Sequence, residues 1–477
     1  MLALLLTWAI TYFCVFKGVK SSSYIVWFTV PGPVIFVFIM VLNGLCLPNA
    51  DEGIRMYLRG EIDGKAPDVA LKLSDAQMWA DAVGQIFFSL GVCMGVMTSY
   101  SSYNRRNKPI IRDVMIISFG NCCFSFFAGF AVFSIVGYLK WLGSPVAKKT
   151  SSTGLAFVAY PAAAETLPGS NFWTFILGLT LFTLGIDTAF SLVEAVSTVI
   201  YDTEGGKKIP RKLTALVICC LGWAFSLLFC SSWGFTYFDV IDRYISVYLM
   251  FILGMGQCAA AAWFFRAENV FADARTKVPA MVITIWYCVG TLIMGPVTVF
   301  CFPRHLMWVG GLIFWVVLLL CVLVSFLLKK ELTCEEWTKE VLFYGAYELA
   351  SMVASRSDEN TSKKTKWWTN IFIAWWGFSI KYFIPWCLWT LMMWNFKADM
   401  TMDVNGKGYG GYHLFWQIMG FVYPFIGLLC FFIPICIVTT KEEGFDTSKE
   451  AFEKEEHPDH QAIQEASSKA IVAAADL

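Results

Sequence analysis

The clearest ionisable residue inside an apolar run is Asp187, in TLGIDTAFSLVEA, beside Thr188 and one helical turn beyond Leu184 and Gly185. A charged side chain at bilayer depth costs at least ~2.5 kcal/mol unless it is paired, which makes it a functional candidate by default. Carboxylate, hydroxyl and a freed main-chain carbonyl can converge here on one point. All are hard oxygen ligands, suited to a small alkali cation rather than a transition metal. A carboxylate satisfied by a neighbouring helix is the alternative. Gln85 and Ser89 are four residues apart, as are Asn121 and Ser125 in FGNCCFSFFAGF, so each pair shares a helix face. Four neutral donors facing one another suit an anion, while ordinary interhelical hydrogen bonding is the competing reading.

The stretch Asp81 to Asn104 is long and apolar enough to cross a bilayer, yet Gly84, Ser89, Gly91 and Gly95 interrupt it. Glycine costs about 1 kcal/mol per helical position relative to alanine. Non-helical backbone at membrane depth survives only where it is buried in protein or lines a cavity. A broken span exposes carbonyls and amides that can hold an ion or the charged end of a small solute. Small residues that merely allow close helix packing are the alternative.

The 477 residues are 57% hydrophobic, 17% aromatic and 15% charged, with a mean hydropathy of +0.60. This excludes a soluble globular protein and predicts an all-α, polytopic helical membrane protein embedded in the lipid bilayer. Lys plus Arg equals Asp plus Glu at 36 each, so no basic excess points to nucleic acid. The 16 cysteines scatter through apolar runs without zinc-ligand spacing and read as small buried hydrophobes. The start, MLALLLTWAITYFCVF, has no basic flank or small-residue cleavage site, so a spanning helix is expected rather than a signal peptide. No nucleophile–base pair or metal-ligand cluster occurs in the spans, so no enzyme is expected.

About eleven spans are predicted, near 1–16, 22–46, 80–103, 110–139, 171–200, 213–231, 236–265, 279–301, 306–328, 370–395 and 412–438. Alternate connections hold most of the basic residues, among them Lys17, Arg105, Arg106, Lys207, Lys208, Arg275 and Lys277. The positive-inside rule assigns those connections and the C-terminus to the cytosol. Arg243 and Lys381 fall within spans. The polar loop Leu47 to Met78 reads as an ordered extracellular connection, and GLAFVAYPAAAETLP as a helix dipping back over an entrance. In the cytosolic insert, Thr333 and Glu336 have capping-box spacing, and Trp337, Val341, Tyr344 and Leu349 recur near helical period. A surface helix or a solvated connector follows. The charged tail from 441 is expected to be disordered, its His457 and His460 to form no metal site, and the sequon at Asn360 to go unused in the cytosol. Asp239, Asp242 and Asp202 sit at span ends, where each reads equally as a plain surface charge.

The chain resembles the neurotransmitter:sodium symporters, solute carrier family 6. The likeness runs from Met1 to about 270 and resumes at about 375–438, carried by KGVKSSSYIVWFTVPGP, WADAVGQIFFSLG with TSYSSYN, GLAFVAYPAAAETLP and LGIDTAF. The resemblance implies part of a five-plus-five inverted-repeat transporter fold. Residues 1–46 stand for family helices four and five, 47–79 for an extracellular loop, 80–268 for the second repeat (helices six to ten) and 370–440 for helices eleven and twelve. An extra transmembrane hairpin (269–329), the insert (330–369) and the tail (441–477) complete the division.

Position by position, the resemblance implies two sodium sites, Ser89 and Asn121 at the first and the Leu184 carbonyl, Asp187 and Thr188 at the second. It also implies a chloride site of Gln85, Ser89, Asn121 and Ser125, because chloride-independent relatives carry glutamate in place of Ser125. Phe88 matches the lid over the substrate, and Gly91, Cys93, Met94, Thr188 and Leu192 line the matching pocket. Leu192 and Cys93 add bulk, which favours a small solute. Asp242 matches the outer-gate acid, and Asp202 with Tyr103 parts of the inner gate. Helices one to three have no counterpart, and helix one supplies the other half of both sodium sites; a start upstream of Met1 is the expectation. The function implied is sodium- and chloride-dependent symport of a small amino acid or related amine or zwitterion at the plasma membrane. The alternative is a non-transporting relative that assembles with full-length transporters.

Overall fold

The computed structural model describes the chain except residues 17, 19–24, 62–72, 74, 105–109, 145–154, 204, 266, 304–305, 330–331, 356–362, 402–408 and 439–477. The expected tail, the sequon at Asn360 and His457 and His460 therefore lie outside the described residues. What is described is all-α. Two apolar helices, the short α1 (Leu2–Val15) and the longer α2 (Ile25–Leu45), lead into the amphipathic α3 (Ala50–Arg59). Next come α4 (Ala76–Leu90) and α5 (Val96–Ser102), the two halves of the interrupted stretch, and α6 (Ile110–Trp141). A π turn (Leu155–Ala159) runs into α7 (Tyr160–Thr166), the short apolar helix expected over an entrance. It packs beside α8 (Ser170–Asp202), which is followed by α9 (Arg211–Cys230) and α10 (Gly234–Phe264).

The C-terminal part begins with a short helix, α11 (Ala267–Ala272), then the hairpin α12 (Ala274–Phe300) and α13 (Met307–Leu327). The insert forms α14 (Cys334–Trp337), a π turn and α15 (Tyr344–Ser355). The last pair is α16 (Lys363–Phe378), continued through a π turn into α17 (Ile384–Met400), and α18 (Leu414–Val438).

Eight of these helices are long and apolar enough to cross a membrane; α1, the described part of α18 and the split α4–α5 are shorter. Only 17% to 39% of each span's most apolar window is buried against protein, so the greater part faces outward. Such helices keep their backbone hydrogen bonds internal and can leave apolar side chains to lipid.

The cores lie between helices. The largest joins α10, α12, α13, the insert and α17, with Phe314 stacked on Trp386 at 3.9 Å between ring centroids. The insert does not lie on a surface as its period suggested. Its capping box is present, with Glu336 N–H donating to Thr333 Oγ1 at 3.2 Å and Thr333 N–H to Glu336 Oε2 at 2.9 Å. But Trp337, Val341 and Tyr344 are buried in this core, and Trp337 Nε1 donates to Ser325 Oγ on α13 at 3.3 Å. The apolar face found protein before it could find a membrane surface.

The last helix pair is held to the rest by charge and hydrogen bonds. Arg243 on α10 pairs with Asp399 at 3.2 Å and donates to Asn395 Oδ1 at 2.8 Å, while Tyr248 donates to Asp399 at 2.8 Å. Trp394 Nε1 reaches Gln77 Oε1 on α4 at 2.9 Å, and Tyr412 OH donates to Asp239 at 3.0 Å. Arg243 is thus a charge paired within the protein rather than left alone in a span.

Candidate functional site

The α4–α5 break is built from main-chain conformation. Gly91, Cys93 and Gly95 have φ of +63°, +67° and +78°, all left-handed. Glycine adopts this region freely, whereas a residue with a Cβ loses roughly 1–2 kcal/mol there. Cys93 is one of only two such non-glycine residues among those described. The regular ladder stops: Gly91 N–H bonds to Phe88 O at 3.0 Å, Val92 N–H to Phe87 O at 3.0 Å and Met94 N–H back to Gly91 O at 3.3 Å. Cys93 Sγ donates to Gln257 Oε1 at 3.4 Å, which sets α10 beside the unwound turn. Gln257 escaped the sequence reading because nothing in its neighbourhood separates it from other polar residues of a span.

Beyond the break, α5 is fastened to α8, the helix of Asp187. Ser99 Oγ donates to Thr198 Oγ1 at 2.9 Å, and Tyr100 OH to Ser191 Oγ at 3.1 Å. Tyr103 OH donates to Glu194 at 3.5 Å and lies 3.4 Å from Thr198 Oγ1. Tyr103 therefore meets Glu194, not Asp202, which is exposed at the end of α8. Glu194 is only 2% exposed. It stands two helical turns after Asp187 on the same face, a spacing in TLGIDTAFSLVEA that could have revealed it.

The cation-type oxygens lie on faces the described protein leaves open. Asp187 is half-buried, with Oδ1 accepting from Thr29 Oγ1 at the start of α2 at 2.9 Å. The neighbouring-helix reading of Asp187 thus holds for one oxygen, and Oδ2 has no hydrogen-bond partner among the described residues. Thr188 Oγ1 donates to the Leu184 carbonyl at 3.1 Å, so these two oxygens are adjacent. On α4 and α6, Ser89 Oγ donates to Asn121 Oδ1 at 3.0 Å, joining two residues expected to share a site. Gln85 and Ser125 are exposed, one turn away on the same two helices.

The donor set fits sodium, being oxygen throughout with one carboxylate. For an anion, the Ser89 hydrogen is already given to Asn121, leaving the Asn121 and Gln85 amides and the Ser125 hydroxyl as donors. Phe88, Leu184 and Leu192 are 49%, 42% and 39% exposed. Asp242, the expected outer-gate acid, is exposed too, while its neighbour Arg243 is committed to α17.

Comparison with known proteins finds named transporters among the relatives of this chain. The taurine transporter of Bos taurus, named as sodium- and chloride-dependent, is 36% identical over 277 residues, covering 57% of this chain and 43% of that protein. The human taurine transporter is 33% identical over 311 residues, covering 62% of this chain and 49% of its own length. A sodium-dependent serotonin transporter of Drosophila melanogaster is 34% identical over 292 residues, covering 60% and 45%. The chain spans about half the length of the curated relatives it matches. The profile of the sodium:neurotransmitter symporter family matches residues 1–315, a range that takes in α12 and the start of α13 but not α17 and α18. With two thirds of its length so matched, over the break and the Asp187 helix alike, the chain belongs to the sodium:neurotransmitter symporter family.

Proposed function

We propose that the chain carries half of the ion- and substrate-binding core of a sodium- and chloride-dependent secondary-active symporter, working by alternating access. The observation that carries this reading is the break at Gly91–Gly95, fastened through Ser99, Tyr100 and Tyr103 to the helix of Asp187. Asp187, Thr188 and the Leu184 carbonyl hold one sodium ion; Ser89 and Asn121 contribute to a second. Chloride sits among Gln85, Ser89, Asn121 and Ser125, where it balances cation charge that a neutral serine leaves uncompensated. Helix one of the family supplies the remaining ligands, and the open faces of α4, α6 and α8 are where it packs. Sodium that binds the outward-open and inward-open states with different affinity biases the cycle.

The substrate is a small zwitterion or amine. Its relatives named for taurine and serotonin both carry an amine, and the bulk of Leu192 and Cys93 keeps the pocket small. Phe88, Gly91, Met94 and Thr188 complete the lining, Asp242 closes the outer side, and Tyr103 with Asp202 the inner. The distribution of Lys and Arg supports a cytosolic C-terminus and a cytosolic 333–355 insert, and the family reading supports a plasma-membrane location.

The test is uptake into proteoliposomes by two forms, the 477 residues alone and the 477 residues extended by helices one to three of a taurine-transporter relative. Sodium- and chloride-dependent uptake of a small zwitterionic amine by the extended form, and none by the shorter one, is expected. Inertness of both would favour a non-transporting partner of full-length transporters.

A further inference from the structure

An amine with no hydrogen-bond partner among the described residues is enclosed in the C-terminal part of the protein. Lys381 is 0% exposed, and its Nζ has no hydrogen-bond partner among the described residues. Instead Nζ lies 3.2 Å from the ring centroid of Tyr344, 4.7 Å from that of Trp263 and 5.7 Å from that of Tyr382. The rings come from separate elements: Trp263 from the end of α10, Tyr344 from the start of α15, Tyr382 from the turn ahead of α17. Each element leaves regular α-helical winding at or beside this point, in the π turns Ala260–Phe264, Thr338–Leu342 and Ser379–Phe383. Such turns are rare and concentrate at functional sites.

The rest of the box is satisfied. Trp263 Nε1 donates to Lys381 O at 3.0 Å, Tyr344 OH to Trp263 O at 3.3 Å, Tyr382 OH to Leu342 O at 2.6 Å and Tyr287 OH to Tyr382 O at 2.8 Å. A Cβ on Gly345 would stand 2.5 Å from Phe265 O, so the insert backbone lies directly on the end of α10. Only the amine is left to be held by ring faces, the way aromatic cages hold ammonium ligands.

We propose that Lys381 is the tethered occupant of an aromatic cage, and that the cage, closed on it, latches the insert 333–355 onto the Phe264 end of α10. That end then moves only when the Lys381 amine and the Tyr344 ring part. The latch stands independently of the transport reading; its effect on the transport cycle rests on it.

The test is hydrogen exchange on the full chain in lipid nanodiscs. Lys381→Met is expected to speed exchange in 333–355 by about tenfold or more, with 170–202 unchanged, as for a sub-global opening. Lys381→Arg is expected to keep the protection. In Lys381→Ala, butylammonium is expected to restore slow exchange and n-butanol of the same length is not. Native protection in Lys381→Met, an equal rise in 170–202, or equal rescue by butanol would each overturn the latch. Should the Lys381 variants not fold, Tyr344→Leu opens the cage from the insert side. Faster exchange confined to 333–355 supports the latch, and unchanged exchange overturns it.

Discussion

The region around Asp187 and the region around Lys381 treat a polar group at membrane depth in opposite ways. Asp187 is half-buried with one oxygen engaged by Thr29, and Thr188 and Leu184 on the same helix are exposed. Lys381 is sealed by three rings, and every other polar group shown around it has a partner. An open set of oxygens can exchange an ion. A closed box can only hold what is already attached. The difference teaches where this chain spends stability and where it forgoes it: its tightest core is in the C-terminal part, while its oxygen-rich face is loosely covered.

Substitutions should therefore divide into those that unfold and those that unbind. Trp337→Ala empties the closed core and is expected to cost about 3–5 kcal/mol of stability, read by thermal unfolding, with sodium affinity little changed. An unchanged melting temperature would break the comparison at its closed end. Asp187→Asn is expected to cut sodium affinity about 30-fold, corresponding to about 2 kcal/mol for a lost charged interaction, while moving thermal stability little. Glu194→Gln loosens Tyr103 from α8 and should cost about 1 kcal/mol, appearing as faster exchange in 96–103.

Ser125→Glu puts a fixed negative charge where chloride is proposed. In a transporting form it should reduce chloride dependence severalfold without loss of sodium dependence, and unchanged dependence rules the assignment out. The smallest effect belongs to pH. The Arg275 guanidinium beside Asp273 holds that carboxyl below its ordinary value, and Asp273 also caps α12 by accepting from Arg275 N–H at 2.9 Å. A depressed folded value means the contribution is present above the usual carboxylate range and fades as pH falls through it. Exchange at the first turn of α12 should rise on acidification, and less so in Asp273→Asn.

Much of this architecture was legible in residue order. Span positions followed from hydropathy, because α-helices are the form in which a single chain can cross lipid without losing backbone hydrogen bonds. The break followed from Gly91 and Gly95, and the start of α14 from the Thr333–Glu336 spacing. What could not be read depends on which helix faces which. Nothing local says that Thr29 reaches Asp187 across 158 positions, that Tyr103 meets Glu194 rather than Asp202, or that Trp263, Tyr344 and Tyr382 surround one amine. The period of Trp337, Val341 and Tyr344 announced an apolar face but not its cover, since membrane and protein interior select the same side chains.

Binding of radiolabelled sodium, measured side by side on wild type and Asp187→Asn in the form extended by helices one to three, tests the central claim most directly. Saturable binding that falls about 30-fold in the variant, with unchanged thermal stability, is the result predicted by oxygens gathered between the broken span and α8. Wild-type sodium binding in Asp187→Asn would contradict it.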